Sequence, residues 1–283
     1  MTELGGVASG STSLAPSATA FLVTKEYRRF AEFCDAVRRY RYIGLCYGPP
    51  GVGKTLSARH YADWDHLEQA FAHELDGEQP RIPRVADCRS IVYTPTMAET
   101  PRTLAATIHG LRCRLTWAVE DARSPTGADL VTRMKAELTE LILVDEADRL
   151  KMTALEQLRD VYDREHFGLV LIGMPGLEKR LARYPQLYSR IGFAHAYRPL
   201  SSEELWFILE HHWRQLGFTL SPSDFTDTEA VAAIARITGG NFRLIQRLFT
   251  QIERLLEINR LRAVTKEVVE TARASLVIGA WAD

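Results

Sequence analysis

Along most of the chain, apolar residues arrive either in short unbroken runs or at intervals of three and four, and the two rhythms alternate. The runs at 42–47, 90–94, 141–144 and 168–173 are short and carry no polar face, as expected of buried strands, and a fifth is expected near Phe193 to Tyr197. Between them lie helical patterns. Tyr27, Phe30, Phe33, Cys34 and Val37 make 24–40 an amphipathic helix, and Leu155, Leu158, Val161 and Tyr162 share a face further on. Thr100 before Pro101 marks a helix start, and that helix is expected to run to about Trp117. The polar stretch 63–87, punctuated by Gly77, Pro80 and Pro83, reads as a loop or insertion. Strands alternating with helices at this spacing predict an α/β fold whose parallel sheet is covered on both faces.

Beyond Pro199 the pattern becomes purely helical. Ser201-Ser202-Glu203-Glu204 has the form of a capping box, and Thr226-Asp227-Thr228-Glu229 repeats it before a helix expected to stop at Gly239-Gly240. Ile245, Leu248, Phe249, Ile252, Leu255 and Leu256 then follow helical spacing, and Val264-Thr265 opens a last helix. The expected organisation is a flexible tail at 1–20, an α/β domain at 21–199, and a small helical domain with a C-terminal tail at 200–283.

With 283 residues, 46% of them hydrophobic, the chain can bury one large core and a smaller one. No window approaches the roughly 18 uninterrupted apolar residues of a membrane span. Residues 1–20 lack the basic start and apolar centre of a signal peptide, so the expected location is the cytoplasm, with no membrane contact. Cys34, Cys46, Cys88 and Cys113 are scattered without metal-ligand or disulfide spacing and read as buried thiols. A net charge of −1 excludes a wholly basic nucleic-acid module, although Arg28, Arg29, Arg38, Arg39 and Arg41, and later Arg102, Arg112 and Arg114, form local basic clusters. Such clusters are equally consistent with solvated faces.

Two stretches carry chemistry. Gly48-Pro49-Pro50-Gly51-Val52-Gly53-Lys54-Thr55 fits G-x-x-x-x-G-K-[ST], in which small residues turn backbone N–H groups inward around phosphate oxygens at a helix N-terminus. Together with Leu56, these residues are the expected nucleotide contacts. Lys54 is to reach the outer phosphates, and the Thr55 hydroxyl is to take a place on Mg²⁺. The strand expected at 42–47 and the helix expected after Thr55 supply the strand-loop-helix setting. The second stretch, Leu141-Ile142-Leu143-Val144-Asp145-Glu146, is a strand running into two carboxylates: Asp145 to hold the metal through its water shell, Glu146 to polarise the attacking water. The start of the helix at 24–40 is expected to border the adenine.

This arrangement, with an extra strand between the two motifs, resembles the AAA+ branch of P-loop ATPases. More narrowly, over Tyr27 to Arg273, it resembles the ATP-binding target regulators of DNA transposition of the TnsC, TniB and MuB type. The segments that carry the likeness are Leu141 to Leu150 and Val170 to Leu177. The resemblance implies a P-loop AAA+ core with a five-stranded parallel sheet, a helical lid, ATP and Mg²⁺ as ligands, and a homo-oligomeric ring or filament. It also implies double-stranded DNA bound with little sequence preference, and a transposase and target-selection proteins as partners.

Residue by residue, the resemblance makes Arg190 the expected finger that reaches a neighbouring subunit's nucleotide, with Arg183 as competitor, and turns Arg243 back to the nucleotide as sensor 2. By position in the layout, Arg102, Arg112, Arg114 and Thr116 are the expected DNA contacts. Gly173-Met174 departs from the pattern: neither side chain can orient water where AAA+ enzymes carry a polar sensor 1, so slow hydrolysis is expected. The alternatives are a protein-remodelling or secretion-type AAA+ ATPase, for which no aromatic-hydrophobic pore motif is present, and a scaffold without turnover, against which intact Lys54, Asp145 and Glu146 weigh.

Overall fold

The computed structural model describes residues 21–76, 82–123 and 138–276; the tail expected at 1–20 lies outside them. Five parallel strands form one sheet: β1 (Ile43–Tyr47), β2 (Ser90–Tyr93), β3 (Leu141–Val144), β4 (Gly168–Gly173) and β5 (Ile191–Ala196), in the order β2-β3-β4-β1-β5. In the centre, Ile142 pairs with Leu169 and Leu45 with Leu171, and β3 and β4 are buried along their length, which explains their unbroken apolar runs. The β5 edge alternates between half-buried and exposed residues.

Helices α1 (Lys25–Tyr40), α2 (Lys54–Tyr61), α3 (Trp64–Asp76), α4 (Pro101–Arg123) and α5 (Met152–Glu165), with the short α6 (Leu177–Leu181) and α7 (Pro185–Tyr188), pack around this sheet in a single apolar cluster. The stretch at 63–87 departs from the expected loop. Asp63 takes a left-handed conformation (φ 50°) that ends α2, and the chain restarts at once as α3, burying Trp64, Leu67, Ala70 and Phe71. A short 3-10 turn follows at Pro83–Asp87. Helix α4 runs on past Trp117 because Ala118 and Val119 continue the buried face begun by Leu104, Ile108 and Leu115.

A second apolar cluster gathers α8 (Ser202–Gln215), α9 (Phe225–Thr238), α10 (Phe242–Asn259) and α11 (Lys266–Ala274). Ser201 and Glu204 form the expected capping box on α8. On α9 the cap is Asp224 rather than Thr226. The Asp224 side chain accepts from Thr226 N at 2.8 Å, while Asp227 is drawn away to accept from Trp213 Nε1 and Ser221 N. The two clusters are tied by a buried polar knot. Glu204 accepts from Glu26 N at 2.7 Å, and Glu26 accepts from Arg198 N at 3.1 Å with His195 Nε2 also 3.1 Å away. Burial alone would raise the Glu26 carboxyl, but His195 and the Arg198 N–H hold it below the ordinary carboxylate range.

Candidate nucleotide site

The C-terminal ends of β1, β3 and β4 converge where the sheet order places β4 between the other two. Gly48, just after β1, donates its N–H to Gly173 O at 3.3 Å, and the loop from Gly48 to Gly53 then turns into α2. Two glycines make the turn possible. Gly51 (φ 77°) and Gly53 (φ 108°) lie in the left-handed region, and a Cβ on Gly51 would come within 2.5 Å of Asn241 Oδ1. The result is a ring of backbone N–H groups at a helix N-terminus, the physical form of an anion site.

Lys54 folds back on this loop, its Nζ donating to Gly48 O at 2.6 Å and Pro49 O at 2.8 Å. Burial pushes its ammonium below the ordinary lysine range, and Arg243 pushes the same way, against the pull of the Asp145 and Asp148 carboxylates. Thr55 Oγ1 donates to Asp145 Oδ2 at 2.6 Å, and the other Asp145 oxygen accepts from Glu146 N at 2.9 Å. Asp145 is only 4% exposed. A hydroxyl and a carboxylate placed this way are hard oxygen donors that suit Mg²⁺, which keeps much of its water shell. The donor set and the glycine cradle therefore fit a Mg²⁺-bound nucleotide.

Glu146 follows in a left-handed conformation (φ 51°), with its carboxylate ion-paired to Arg149. Arg149 also donates to Pro95 O at 3.1 Å, so the carboxylate is linked to the loop that follows β2.

The cavity over these groups, about 210 Å³, is closed on one side by α10. Asn241 Nδ2 donates to Pro50 O at 2.8 Å, Arg243 N donates to Gly51 O at 2.9 Å, and the Arg243 side chain lines the cavity. A second, more apolar cavity of about 380 Å³ adjoins it, sharing Gly53 and Leu56 and lined by Phe21, Thr24, Tyr27, Val52, His60 and Tyr197. Phe21 stacks on His60 with ring centroids 3.8 Å apart, and burial holds the His60 imidazole below its ordinary pKa. An apolar, aromatic cavity beside an anion cradle can accept a purine ring, and Thr24, Glu26 and Tyr27 at the start of α1 line this one.

Gly51, Gly53, Lys54, Thr55, Leu56, Asp145, Glu146 and Arg243 thus meet in one place, with Pro49 and Gly48 supplying carbonyls and Val52 facing the second cavity. Arg190 does not join them. It sits between α7 and β5 in a two-pronged ion pair with Asp163, at 2.6 and 2.8 Å, and this guanidinium holds the Asp163 carboxyl below its ordinary range. Arg183 is exposed just beyond α6.

The expected DNA contacts divide. Arg102 is exposed on the first turn of α4. Arg112 is a correction: it is 5% exposed, paired with Glu165, and its guanidinium lies 5.1 Å from the Phe167 ring centroid. Thr116 is a correction too, since it is 2% exposed and its hydroxyl donates to Arg112 O. Both lie on the buried face of α4 and offer nothing to a phosphate backbone. Arg114 lies over the Phe71 ring and donates to Phe71 O at 2.9 Å.

Three residues of the site escaped the sequence reading. Asn241 was signalled only by its place after Gly239-Gly240, and Arg149 and Asp148 only by their spacing from the acidic pair.

Fold and site together define a P-loop nucleotide-binding protein of the AAA type, and the chain belongs to the AAA domain family, which matches residues 37–181. It is 47% identical over 268 residues to a potential ATP-binding protein of Staphylococcus aureus, covering 92% of this chain and 97% of that one. It is 24% identical over 181 residues to the Mu-like prophage FluMu DNA transposition protein B of Haemophilus influenzae, covering 62% of this chain and 55% of that protein. Among solved structures it resembles the RuvB Holliday junction branch migration motor of Thermotoga maritima (TM-score 0.55, 16% identity, 88% of this chain and 67% of that one), a likeness of fold. Among the described residues no helix is long and apolar enough to cross a membrane.

Proposed function

We propose that this protein is an ATPase that assembles as a homo-oligomer on duplex DNA in the cytoplasm, marks a target site for transposition, and recruits a transposase, with hydrolysis driving disassembly. The ATPase half rests on the Thr55–Asp145 pair set beside Lys54 in one cradle. The transposition half rests on the likeness to a Mu-like transposition protein B. The units at 21–199 and 200–283 act as the ATPase domain and its lid.

In this reading Lys54 exchanges its two carbonyl acceptors for the outer phosphates, and Thr55 and Asp145 would hold Mg²⁺. The metal, when bound, neutralises charge that builds on the phosphate oxygens. Glu146 leaves Arg149 to take a proton from the attacking water, while Arg243 closes the lid side. Arg190 exchanges Asp163 for the nucleotide of a neighbouring subunit, so that assembly and turnover are linked; a guanidinium so placed can supply about 10³ to 10⁵ in rate. DNA contact is through the backbone phosphates and sequence-tolerant, with Arg102 among the contacting residues.

The test is retention of a random-sequence duplex with and without ATP. ATP-dependent retention that is lost in Lys54→Ala supports the reading; retention indifferent to ATP and to Lys54 contradicts it.

A further inference from the structure

The end of β4 is where a side chain able to align water is missing. Gly173 has none, and Met174 offers only a weakly accepting thioether. Yet this point lies against the cradle, since Gly173 O accepts from Gly48 N. The gap is filled from another element. Asp148, in the short turn Ala147–Arg149 after β3, reaches across so that its Oδ2 accepts from Met174 N at 2.7 Å. A Cβ built on Gly173 would lie 2.5 Å from that oxygen and 3.0 Å from Asp148 Cγ. Glycine at 173 is therefore what Asp148 requires: a polar side chain there and this carboxylate would compete for one space. The turn is fixed in turn by Arg180, which donates to Asp148 O at 2.8 Å and also to Leu150 O.

Asp148 lines the same cavity as Lys54, Thr55, Asp145 and Glu146. Its other oxygen, Oδ1, has no protein donor among the described residues. A carboxylate oxygen accepts but never donates while ionised, so the partner it suits is a water or a cationic group.

We propose that Asp148 is a catalytic residue that holds the attacking water in place of a β4 side chain. Its Oδ1 accepts one hydrogen of the water while Glu146 takes the other. The water oxygen bonds to the terminal phosphorus as the bond to the bridging oxygen breaks, the leaving pair stays on ADP, and the proton passes to Glu146. Asp148 keeps its charge throughout. This inference rests on the ATPase reading above and gives it a specific aligning group where the sequence shows none.

Asp148→Asn separates the role from a structural one, because the amide oxygen still accepts from Met174 N while the charge and the water-accepting oxygen are replaced. The expected result is a fall in kcat of about 10-fold or more with little change in KM. A fluorescent ATP analogue should bind as in the wild type. A second readout does not depend on turnover: ADP with aluminium fluoride, which mimics the transferring phosphoryl group with water in line, should raise the wild-type Tm above the value with ADP alone. In Asp148→Asn that extra rise should vanish while the shift by ADP persists. An Asp148→Asn protein that matches an active wild type in kcat and in both shifts overturns the inference and leaves the ATPase reading intact. A wild type that neither turns over ATP nor responds to aluminium fluoride beyond ADP overturns both.

Discussion

Glu146 shows how much a single side chain can decide. Its carboxylate is ion-paired to Arg149, whose second contact is the Pro95 carbonyl at the start of the loop leading to α4 and Arg102. While the guanidinium of Arg149 occupies a Glu146 oxygen, that oxygen is not free to accept a proton from a water. Arg149→Ala frees Glu146, and DNA-independent ATP turnover is expected to rise several-fold, in a steady-state phosphate-release assay, with nucleotide affinity unchanged. A fall in turnover would instead show that Arg149 orients Glu146 productively. At the same scale, Lys54 is preorganised on its own loop carbonyls, so phosphate binding exchanges hydrogen bonds without leaving a buried ammonium unpaired.

Among the elements, the strands and several helix starts were legible because one local signal determined each. β3 and β4 are unbroken apolar runs, and Thr24, Ser201 and Thr265, where helices were expected to open, cap them with side chains that accept a backbone N–H. Helix α3 was not legible. Gly77, Pro80 and Pro83 follow it closely, and Asp65, His66, Glu68 and Gln69 dilute the four apolar residues that bury its inner face. For Arg112 the signal was present but outweighed by its charge: it continues the spacing of Leu104 and Ile108 and precedes Leu115 on the buried face of α4. Of the site, the cradle and the acidic pair were legible because their spacing is chemical. Asp148 was not, because its partner Met174 N is distant in sequence and only β4 lying beside β3 brings the two together.

The packing of α8 on α10 makes a prediction of its own. His212 is 8% exposed and stacks on Phe249 with centroids 4.3 Å apart; burial, with His211 beside it, pushes its pKa down to about 4, against a hydrogen bond to Gln215. Glu253 lines the same small cavity. Between the ordinary histidine value near 6.5 and about 4, the unfolded chain binds a proton that the folded helices refuse, so stability is fully present above that window and is lost as pH falls through it. The loss is roughly 3 kcal/mol across the window. Urea unfolding followed at pH 7 and pH 4.5 should show it, and His212→Phe should flatten that part of the dependence. An unchanged pH dependence in His212→Phe would assign the loss to other groups.

For the molecule as a whole, the cradle and the candidate finger lie at different places on one chain: Arg190 is engaged with Asp163 and absent from its own nucleotide cavity. On the proposed function the site takes a cation from a neighbour and so is completed only by assembly, and a chain with a net charge of −1 would embrace DNA by repeating a few local basic groups around it. Assembly, nucleotide and DNA are therefore one linked equilibrium in this account, in which whatever binds only the assembled form stabilises it. Electron microscopy of the purified protein with a non-hydrolysable ATP analogue, with and without a random-sequence duplex, tests this most directly. Rings or filaments that need the nucleotide and enclose the DNA are the predicted result; nucleotide-dependent assemblies that form identically without DNA and leave it outside would contradict it.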